Sequence, residues 1–115
     1  ETFWGTGEYL EKYGPRMDRV GGPYGAYLFG VDTPRPVVFA ERSLEPAAAK
    51  LPYHRYRVTG QELPPAWRIE TGRVVPAVGG RGGGRQVLFR DAGKGLLSVE
   101  ELLETGLLEE VRERA

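Results

Sequence analysis

The sequence predicts a single α+β domain with a small, twisted, mainly antiparallel sheet and short flanking helices. Short runs rich in β-branched and aromatic residues recur about every 8–15 residues, and glycine and proline separate them. The two helix signals lie near the two ends of the chain. Strands do not alternate with helices as they do in a parallel nucleotide-binding sheet. At 115 residues, 40% of them hydrophobic, the chain is long enough to bury one core.

Two helices are predicted from their boundary signals. The first covers residues 7–13 and ends at a Gly-Pro pair. The second covers residues 98–106, where Ser98 and Glu101 have the spacing of a capping box and Gly106 is a stop signal. The acidic residues in the first turn of this second helix also suit the helix dipole. It is the most clearly defined element in the sequence.

Strands are predicted from β-branched and aromatic content and from alternation. The predicted segments are residues 26–29, 37–40, 53–59, 85–89 and 67–77, the last with a turn at Gly72. In residues 53–59 rings and charges alternate with period two, which places His54, Tyr56 and Val58 on one face. Residues 107–111 fit either a last strand or a further helix.

Composition excludes several kinds of site. The absence of cysteine excludes disulfides, zinc–thiolate sites and a thiol nucleophile. A single histidine argues against a metal site built from several histidines, and we expect no metal. No apolar run approaches 18 residues, so no membrane span is expected. Because the chain starts at Glu1, we expect it to be a piece of a longer protein.

Charge is balanced overall but unevenly distributed. Residues 14–97 carry 13 lysines and arginines against 7 acidic residues, whereas residues 98–115 carry 2 against 6. Most of the basic excess is arginine, which binds phosphate through two parallel hydrogen bonds. The basic middle of the chain therefore fits either an anionic ligand or an ordinary solvated surface.

The strongest candidate for a binding loop is the segment 17–28. It contains four glycines or prolines, two tyrosines and one arginine, and it is too rich in glycine to form a helix interior. The run Gly21-Gly22-Pro23 forces a turn between Arg19 and Tyr27. Arg42 follows the strand predicted at residues 37–40. Ligands commonly bind where strands meet loops.

His54 and Gln86 are the remaining candidates, and both His54 and the glycine-rich stretch before Gln86 have a simpler structural explanation. A lone histidine on a strand is more often a hydrogen-bonded structural residue than a catalyst. Gln86 follows the glycine-rich stretch 79–84, which lacks the Gly-Lys-Ser/Thr sequence and the following helix of a phosphate-binding loop. That stretch fits a plain loop or a ligand-contacting loop equally well. No pair of carboxylates has the arrangement of an ordinary glycosidase.

Six ordered blocks of the sequence resemble one known family. They are Asp18-Arg19-x-Gly21…Gly25-x-Tyr27, Phe39-Ala40-Glu41-Arg42-Ser43-Leu44, Tyr53-His54-x-Tyr56, Gly72-x-Val74-x-Pro76-Ala77, Gly83-Gly84-x-Gln86 and Leu97-Ser98-Val99-Glu100-Glu101-Leu102. Together they resemble the TNT domain family, the NAD glycohydrolase toxins named after the tuberculosis necrotizing toxin. The resemblance spans roughly residues 13–111. Six blocks in order are far more specific than one short motif.

The resemblance implies hydrolysis of NAD or NADP to nicotinamide and ADP-ribose or its phosphate. It implies an ADP-ribosyltransferase-like sheet with a split cleft, and NAD(P) is then a substrate, so no cofactor is expected. The family's site residues correspond to Arg19, Tyr27, Arg42, His54 and Gln86. Members are usually C-terminal effector domains restrained by a cognate immunity protein. Residues 1–115 are therefore expected to be one such domain, delivered to act in the cytoplasm of a target cell.

The chemistry of NAD agrees with these residue types. Nicotinamide is a cationic pyridinium in NAD and leaves as a neutral molecule, so the missing general acid is no objection. Arginines suit the pyrophosphate, and the Gln86 amide suits ribose hydroxyls or the attacking water. Tyr27 suits stacking on nicotinamide or shaping its pocket. His54 fits contact with phosphate or ribose, or a base acting on water.

Two other functions stay open from the residues alone. One is a ribonuclease-type toxin that uses His54 with arginine and tyrosine, although the resemblance implies no nucleic-acid partner. The other is a non-catalytic module that binds ADP-ribose or a partner protein. Degradation of RNA, or binding of ADP-ribose without turnover of NAD, distinguishes these from a glycohydrolase.

Overall fold

The computed structural model describes residues 1–31, 52–74 and 84–111. Within them the chain forms β1 (Thr2–Phe3), α1 (Thr6–Tyr13), β2 (Arg16–Val20), β3 (Leu28–Gly30), β4 (Tyr53–Val58), β5 (Arg68–Arg73), β6 (Arg85–Arg90), α2 (Val99–Glu104) and β7 (Leu108–Val111). These strands form one sheet in the order β1-β5-β6-β3-β2-β4-β7, and each pair is antiparallel. The predicted α+β class is confirmed. No helix in these three ranges is long and apolar enough to cross a membrane.

The two faces of the sheet differ in what they pack against. Directly opposed residues on paired strands share a face, and neighbours along a strand alternate between faces. We call one side the helix face, because its buried side chains join those of α1 and α2 in one core. This core includes Tyr9, Met17, Leu28, Tyr56, Val58, Ile69, Val87, Phe89, Val99 and Leu102. The other side, the opposite face, carries Arg55, Asp18, Phe29 and Gln86 in one row across β4, β2, β3 and β6.

Helix α1 packs its aromatic side over a buried arginine. The Arg85 side chain is 3% exposed, and its Nη1 donates to the Tyr9 hydroxyl at 2.8 Å. The guanidinium carbon lies 3.7 Å from the centre of the Tyr13 ring, within the range of a cation–π contact. On its other side the guanidinium approaches Gly30 so closely that a Cβ at that position would overlap it. Arg85 therefore joins β6, β3 and α1 within the interior.

Both helices begin and end much as the sequence predicts. Gly14 (φ 78°) follows α1, and its N–H donates to the carbonyl of Leu10 at 2.9 Å. In α2 the Ser98 side chain accepts from the N–H of Glu101 at 3.1 Å, and the Glu101 carboxylate accepts from the N–H of Ser98 at 3.2 Å. Both halves of the predicted capping box are therefore present. Gly106 has a φ of 80°, as expected of a glycine just after a helix.

Several sequence-based boundaries require correction. The start of the predicted loop, residues 17–20, belongs to the interior strand β2. Gly72 lies within β5, opposite Gln86, and does not turn the chain. The short strand β1 was not predicted, and residues 108–111 form a strand and not a helix. Residues 37–40 and most of the glycine-rich stretch lie outside the described residues.

Candidate active site

The Arg19 side chain lies inside the loop that joins β2 to β3. Its Nε donates to the carbonyl of Gly22 at 2.7 Å, and its Nη1 donates to the carbonyl of Tyr27 at 2.9 Å. A Cβ at Gly25 would lie only 2.6 Å from Cζ of the same guanidinium. Burial lowers the pKa of Arg19, although an arginine remains charged. Arg19 thus holds residues 21–27, here called the Arg19 loop, from within.

Helix α2 and the entry to β4 hold the same loop from outside. The N–H groups of Val99 and Glu100 donate to the carbonyls of Gly25 at 2.9 Å and Pro23 at 2.8 Å. The first N–H groups of a helix have no partner within the helix, so the loop satisfies two of them. The Gly21 N–H donates to the carbonyl of Pro52 at 2.7 Å. These bonds fix the loop backbone at several separate points.

The fixed Arg19 loop presents two tyrosines to solvent. Tyr24 is 82% exposed and Tyr27 is 47% exposed. Tyr27 accepts the Arg19 hydrogen bond with its backbone carbonyl, so this bond does not occupy the phenol ring. An exposed ring on a fixed backbone loses little further conformational entropy when it stacks on a flat ligand.

Four polar or charged side chains meet on the helix face beside this loop. Arg19 and His54 are directly opposed on β2 and β4, and Tyr56 follows His54 on the same face. The Glu110 carboxylate on β7 lies 3.6 Å from Nδ1 of His54. We call Arg19, His54, Tyr56 and Glu110 the helix-face cluster. Burial raises the pKa of Tyr56, the Glu110 carboxylate raises it further, and the Arg19 cation opposes that rise.

The five residues that the sequence singles out are not all brought together by the described part of the chain. Arg19 and His54 are neighbours, and Tyr27 ends the Arg19 loop beside them. Gln86 pairs with Phe29 on β3 and with Gly72 on β5, which places it on the opposite face. Arg42 lies outside the described residues. The described residues thus bring Arg19, His54 and Tyr27 near one another, and the register places Gln86 on the other face.

The opposite face has a polar centre of its own. Asp18 is fully buried and accepts from the Tyr53 hydroxyl at 2.7 Å. Burial raises the pKa of Tyr53, and the bond to Asp18 raises it further. A cavity of about 180 Å³ lies next to this pair. Its lining residues are Arg16, Met17, Val31, Tyr53, Arg55, Tyr56 and Val111.

Two members of the helix-face cluster, Tyr56 and Glu110, were not among the site residues predicted from the sequence. Tyr56 lies in the Tyr-His-x-Tyr block, where period two already places it on the face of His54. Glu110 had no local signal, because it lies in an acidic stretch near the end of the chain. Only the pairing of β7 with β4 brings it to His54. Among the described residues no three histidines or acids are grouped so as to hold a metal ion.

Substitution of Gly25 by alanine tests whether Arg19 holds the loop. The new Cβ would displace the guanidinium, which would lose its bonds to Gly22 and Tyr27. We expect the free energy of unfolding to fall by about 2 kcal/mol, since each bond to a charged group contributes about 1.5–3 kcal/mol and this site is only partly buried. Urea denaturation of both variants measures the change. Gly22→Ala is the matched control, because its Cβ would meet only the Tyr24 ring at 4.0 Å. Equal effects in the two variants would contradict this role for Arg19.

The fold and this cluster define a class: a small antiparallel α+β domain in which an arginine-held loop borders its only histidine. The sequence matches the family model described as tuberculosis necrotizing toxin over residues 12–111, and the chain belongs to this family. This confirms the resemblance drawn from the six sequence blocks.

Individual relatives agree with the family assignment. The chain is 38% identical over 101 residues to the outer membrane channel protein CpnT of Mycobacterium tuberculosis (strain ATCC 25618 / H37Rv) and, equally, of Mycobacterium bovis (strain BCG / Pasteur 1173P2). The match covers 88% of this chain and 12% of those proteins, so the chain spans about an eighth of their length.

A solved structure supports the same fold. It is that of tuberculosis necrotizing toxin complexed with its immunity factor IFT, with a TM-score of 0.88 and 35% identity. The match covers 95% of this chain and 54% of the solved chain. The antiparallel sheet of seven strands and the two short helices formed by residues 1–31, 52–74 and 84–111 therefore have the TNT fold.

Proposed function

We propose that this chain is an NAD(P) glycohydrolase toxin domain. It would hydrolyse the bond between nicotinamide and ribose in NAD or NADP, releasing nicotinamide and ADP-ribose or its phosphate. One observation carries the proposal: within a chain of the TNT family, Arg19 and His54 are directly opposed beside the fixed loop that presents Tyr27. A cation, an imidazole and an exposed ring suit a dinucleotide with a flat leaving group.

The leaving group makes few demands on the protein. Nicotinamide is cationic in NAD and departs neutral, so the enzyme needs no acid to protonate it. The protein must hold the pyrophosphate, stabilise a ribose that gains oxocarbenium character and admit a water molecule. A chain without an evident glycosidase carboxylate pair can meet these requirements with arginine, amide and imidazole groups.

Each site residue then has a proposed role. Tyr27 stacks on nicotinamide, and its position depends on the Arg19 loop. Arg19 donates two of its five N–H groups to that loop. Its positive charge is proposed to attract the anionic dinucleotide. His54 accepts a proton from water or a ribose hydroxyl. Arg42 is proposed to bind phosphate, and Gln86 to orient ribose or water.

The test is incubation of the folded 115-residue chain with NAD and, separately, NADP. Nicotinamide and ADP-ribose are measured by chromatography, and circular dichroism confirms that the protein is folded. Stoichiometric release of nicotinamide and ADP-ribose supports the proposal. A folded protein that releases no nicotinamide contradicts it. Binding of ADP-ribose without turnover would indicate a binding module, and cleavage of total RNA would indicate a ribonuclease.

We also propose the biological setting that such an activity requires. A domain that depletes NAD would harm the cell that makes it, so a cognate immunity protein is the expected partner. The solved relative is complexed with its immunity factor, which supports this proposal. The much longer channel-protein relatives support a toxin domain carried by a larger protein and delivered to a target cell. The partner is tested by co-purifying the chain with a candidate immunity protein. A stable complex that no longer releases nicotinamide from NAD would support the proposal.

A further inference from the structure

We propose that Glu110 is a positioning residue for His54. Its carboxylate holds the imidazole proton on Nδ1, which leaves Nε2 as the proton-accepting atom. The inference rests on the proposed function, in which His54 accepts a proton from water or ribose. It adds a residue from the last strand to a site otherwise built from β2, β4 and the Arg19 loop.

The strand register brings the two side chains together. Glu110 is directly opposed to Tyr56, so it lies diagonal to His54 on the same face of β4 and β7. The Glu110 Oε2 is 3.6 Å from the His54 Nδ1, and both side chains are about one-third exposed. This distance is that of an ion-pair contact and exceeds a hydrogen bond, so the proposal requires a side-chain rotation that brings the two atoms closer together. The ring nitrogen that approaches the carboxylate is Nδ1, so Nε2 is left for the substrate.

The other charges around the imidazole favour the same arrangement. Strand β4 lies between β2 and β7, so Arg19 on β2 is directly opposed to His54, and Glu110 on β7 lies diagonal to it. The third titratable neighbour, Tyr56, has its ring centre 6.2 Å from that of His54 on the same strand. The carboxylate lies 3.6 Å from Nδ1 and therefore favours the N–H on that nitrogen. When one ring nitrogen donates its N–H to a fixed partner, the other ring nitrogen is left unprotonated and can accept a proton.

The chain supplies a matched control one residue away. Glu109 lies on the other side of β7, where its carboxylate is 3.6 Å from Nη1 of the exposed Arg57. It has the same side chain as Glu110 and similar ion-pair geometry, and it lies on the same edge strand. It faces away from His54. Glu109→Ala therefore changes the charge of the protein as Glu110→Ala does, without touching the helix-face cluster.

The decisive measurement is the tautomer of the imidazole. His54 is the only histidine of the 115 residues, so a long-range proton–nitrogen NMR spectrum of ¹⁵N-labelled protein contains one imidazole pattern. At a pH where the imidazole is neutral, we expect wild type and Glu109→Ala to carry the single ring proton on Nδ1. In Glu110→Ala we expect the pattern to move toward that of a ring protonated on Nε2. An unchanged pattern in Glu110→Ala would overturn the proposal.

Steady-state kinetics connect the tautomer to catalysis. We expect Glu110→Ala to lower kcat for NAD hydrolysis about tenfold with KM changed less than twofold, by analogy with carboxylates that orient metal-binding histidines, whose loss costs about 10–100-fold. Glu109→Ala should match wild type. A changed tautomer with an unchanged kcat would overturn the positioning role. If wild type does not hydrolyse NAD at all, the proposed function fails, while the NMR comparison still decides whether Glu110 sets the tautomer.

Discussion

Replacement of Gly30 by alanine is expected to lower the free energy of unfolding by about 3 kcal/mol. The new Cβ would overlap the Arg85 guanidinium, lying 2.7 Å from Nη1 and closer still to Cζ and Nη2. A surface arginine would swing away at little cost. Arg85 is 3% exposed and is held by the Tyr9 hydroxyl and the Tyr13 ring, so its displacement breaks both contacts inside the core.

The matched control is Gly72→Ala in the same sheet. Nothing lies within 4 Å of a Cβ at Gly72, and its φ is not in the left-handed region. We expect that substitution to change stability by less than about 0.5 kcal/mol, as is usual for surface positions. Urea denaturation of wild type and both variants measures the free energy of unfolding. The comparison holds when this free energy falls with urea concentration at the same slope in all three proteins. If the free energy of unfolding of Gly30→Ala fell by less than about 1 kcal/mol, the Arg85 guanidinium would not depend on the space beside Gly30.

The buried arginine explains why glycine occupies a strand position with no turn. Gly30 ends β3, and its missing side chain is the space that the guanidinium fills. From the sequence, Arg85 belongs to a set of arginines that are individually more often surface residues than site residues. A charged residue beside a glycine-rich stretch gives no sign of burial. Its partners lie 55 to 76 residues away in sequence, so only the tertiary fold brings them together.

Elements whose signals are local were predictable. The capping box of α2 lies within four consecutive positions, and the structure contains both of its hydrogen bonds. The alternation in β4 also follows from neighbouring residues, and its exposed and buried positions agree with it. Strand β2 was not predicted, because Arg16, Asp18 and Arg19 give it the composition of a loop. It forms because β3 and β4 pair with both of its edges and Tyr53 donates to the buried Asp18.

Strand register explains the part of the site that the sequence left undetermined. Alternation within one strand shows which residues share a face, but not how that face relates to the next strand. The sequence therefore placed His54 and Tyr56 together correctly, whereas Gln86 could be assigned to either face. The pairs Asp18–Phe29 and Phe29–Gln86 put Gln86 in the row of Asp18, and the pair Arg19–His54 occupies the other face.

His54→Ala is expected to lower kcat/KM for NAD hydrolysis by about 100-fold or more, because a positioned general base typically contributes 10²–10⁴-fold. The imidazole is partly exposed, so the variant should keep the melting temperature of wild type within about 2 °C. Arg57→Ala is the matched control, since Arg57 is an exposed residue of the same strand on the opposite face. The rate of nicotinamide release is measured for wild type, His54→Ala and Arg57→Ala. An unchanged rate in His54→Ala would remove the helix-face cluster from the catalytic site.

Gln86→Ala, measured beside His54→Ala, determines how much of the sheet the dinucleotide contacts. The sequence blocks predict that both substitutions remove most activity, and the register places the two side chains on different faces. A loss in His54→Ala alone would confine the reactive bond to the side of Arg19 and His54. A loss in Gln86→Ala alone would move it to the side of Asp18 and the nearby cavity. Equal losses would show that both side chains contribute to hydrolysis although the register places them on different faces. The two variants thus test whether the sequence blocks form one site across the sheet.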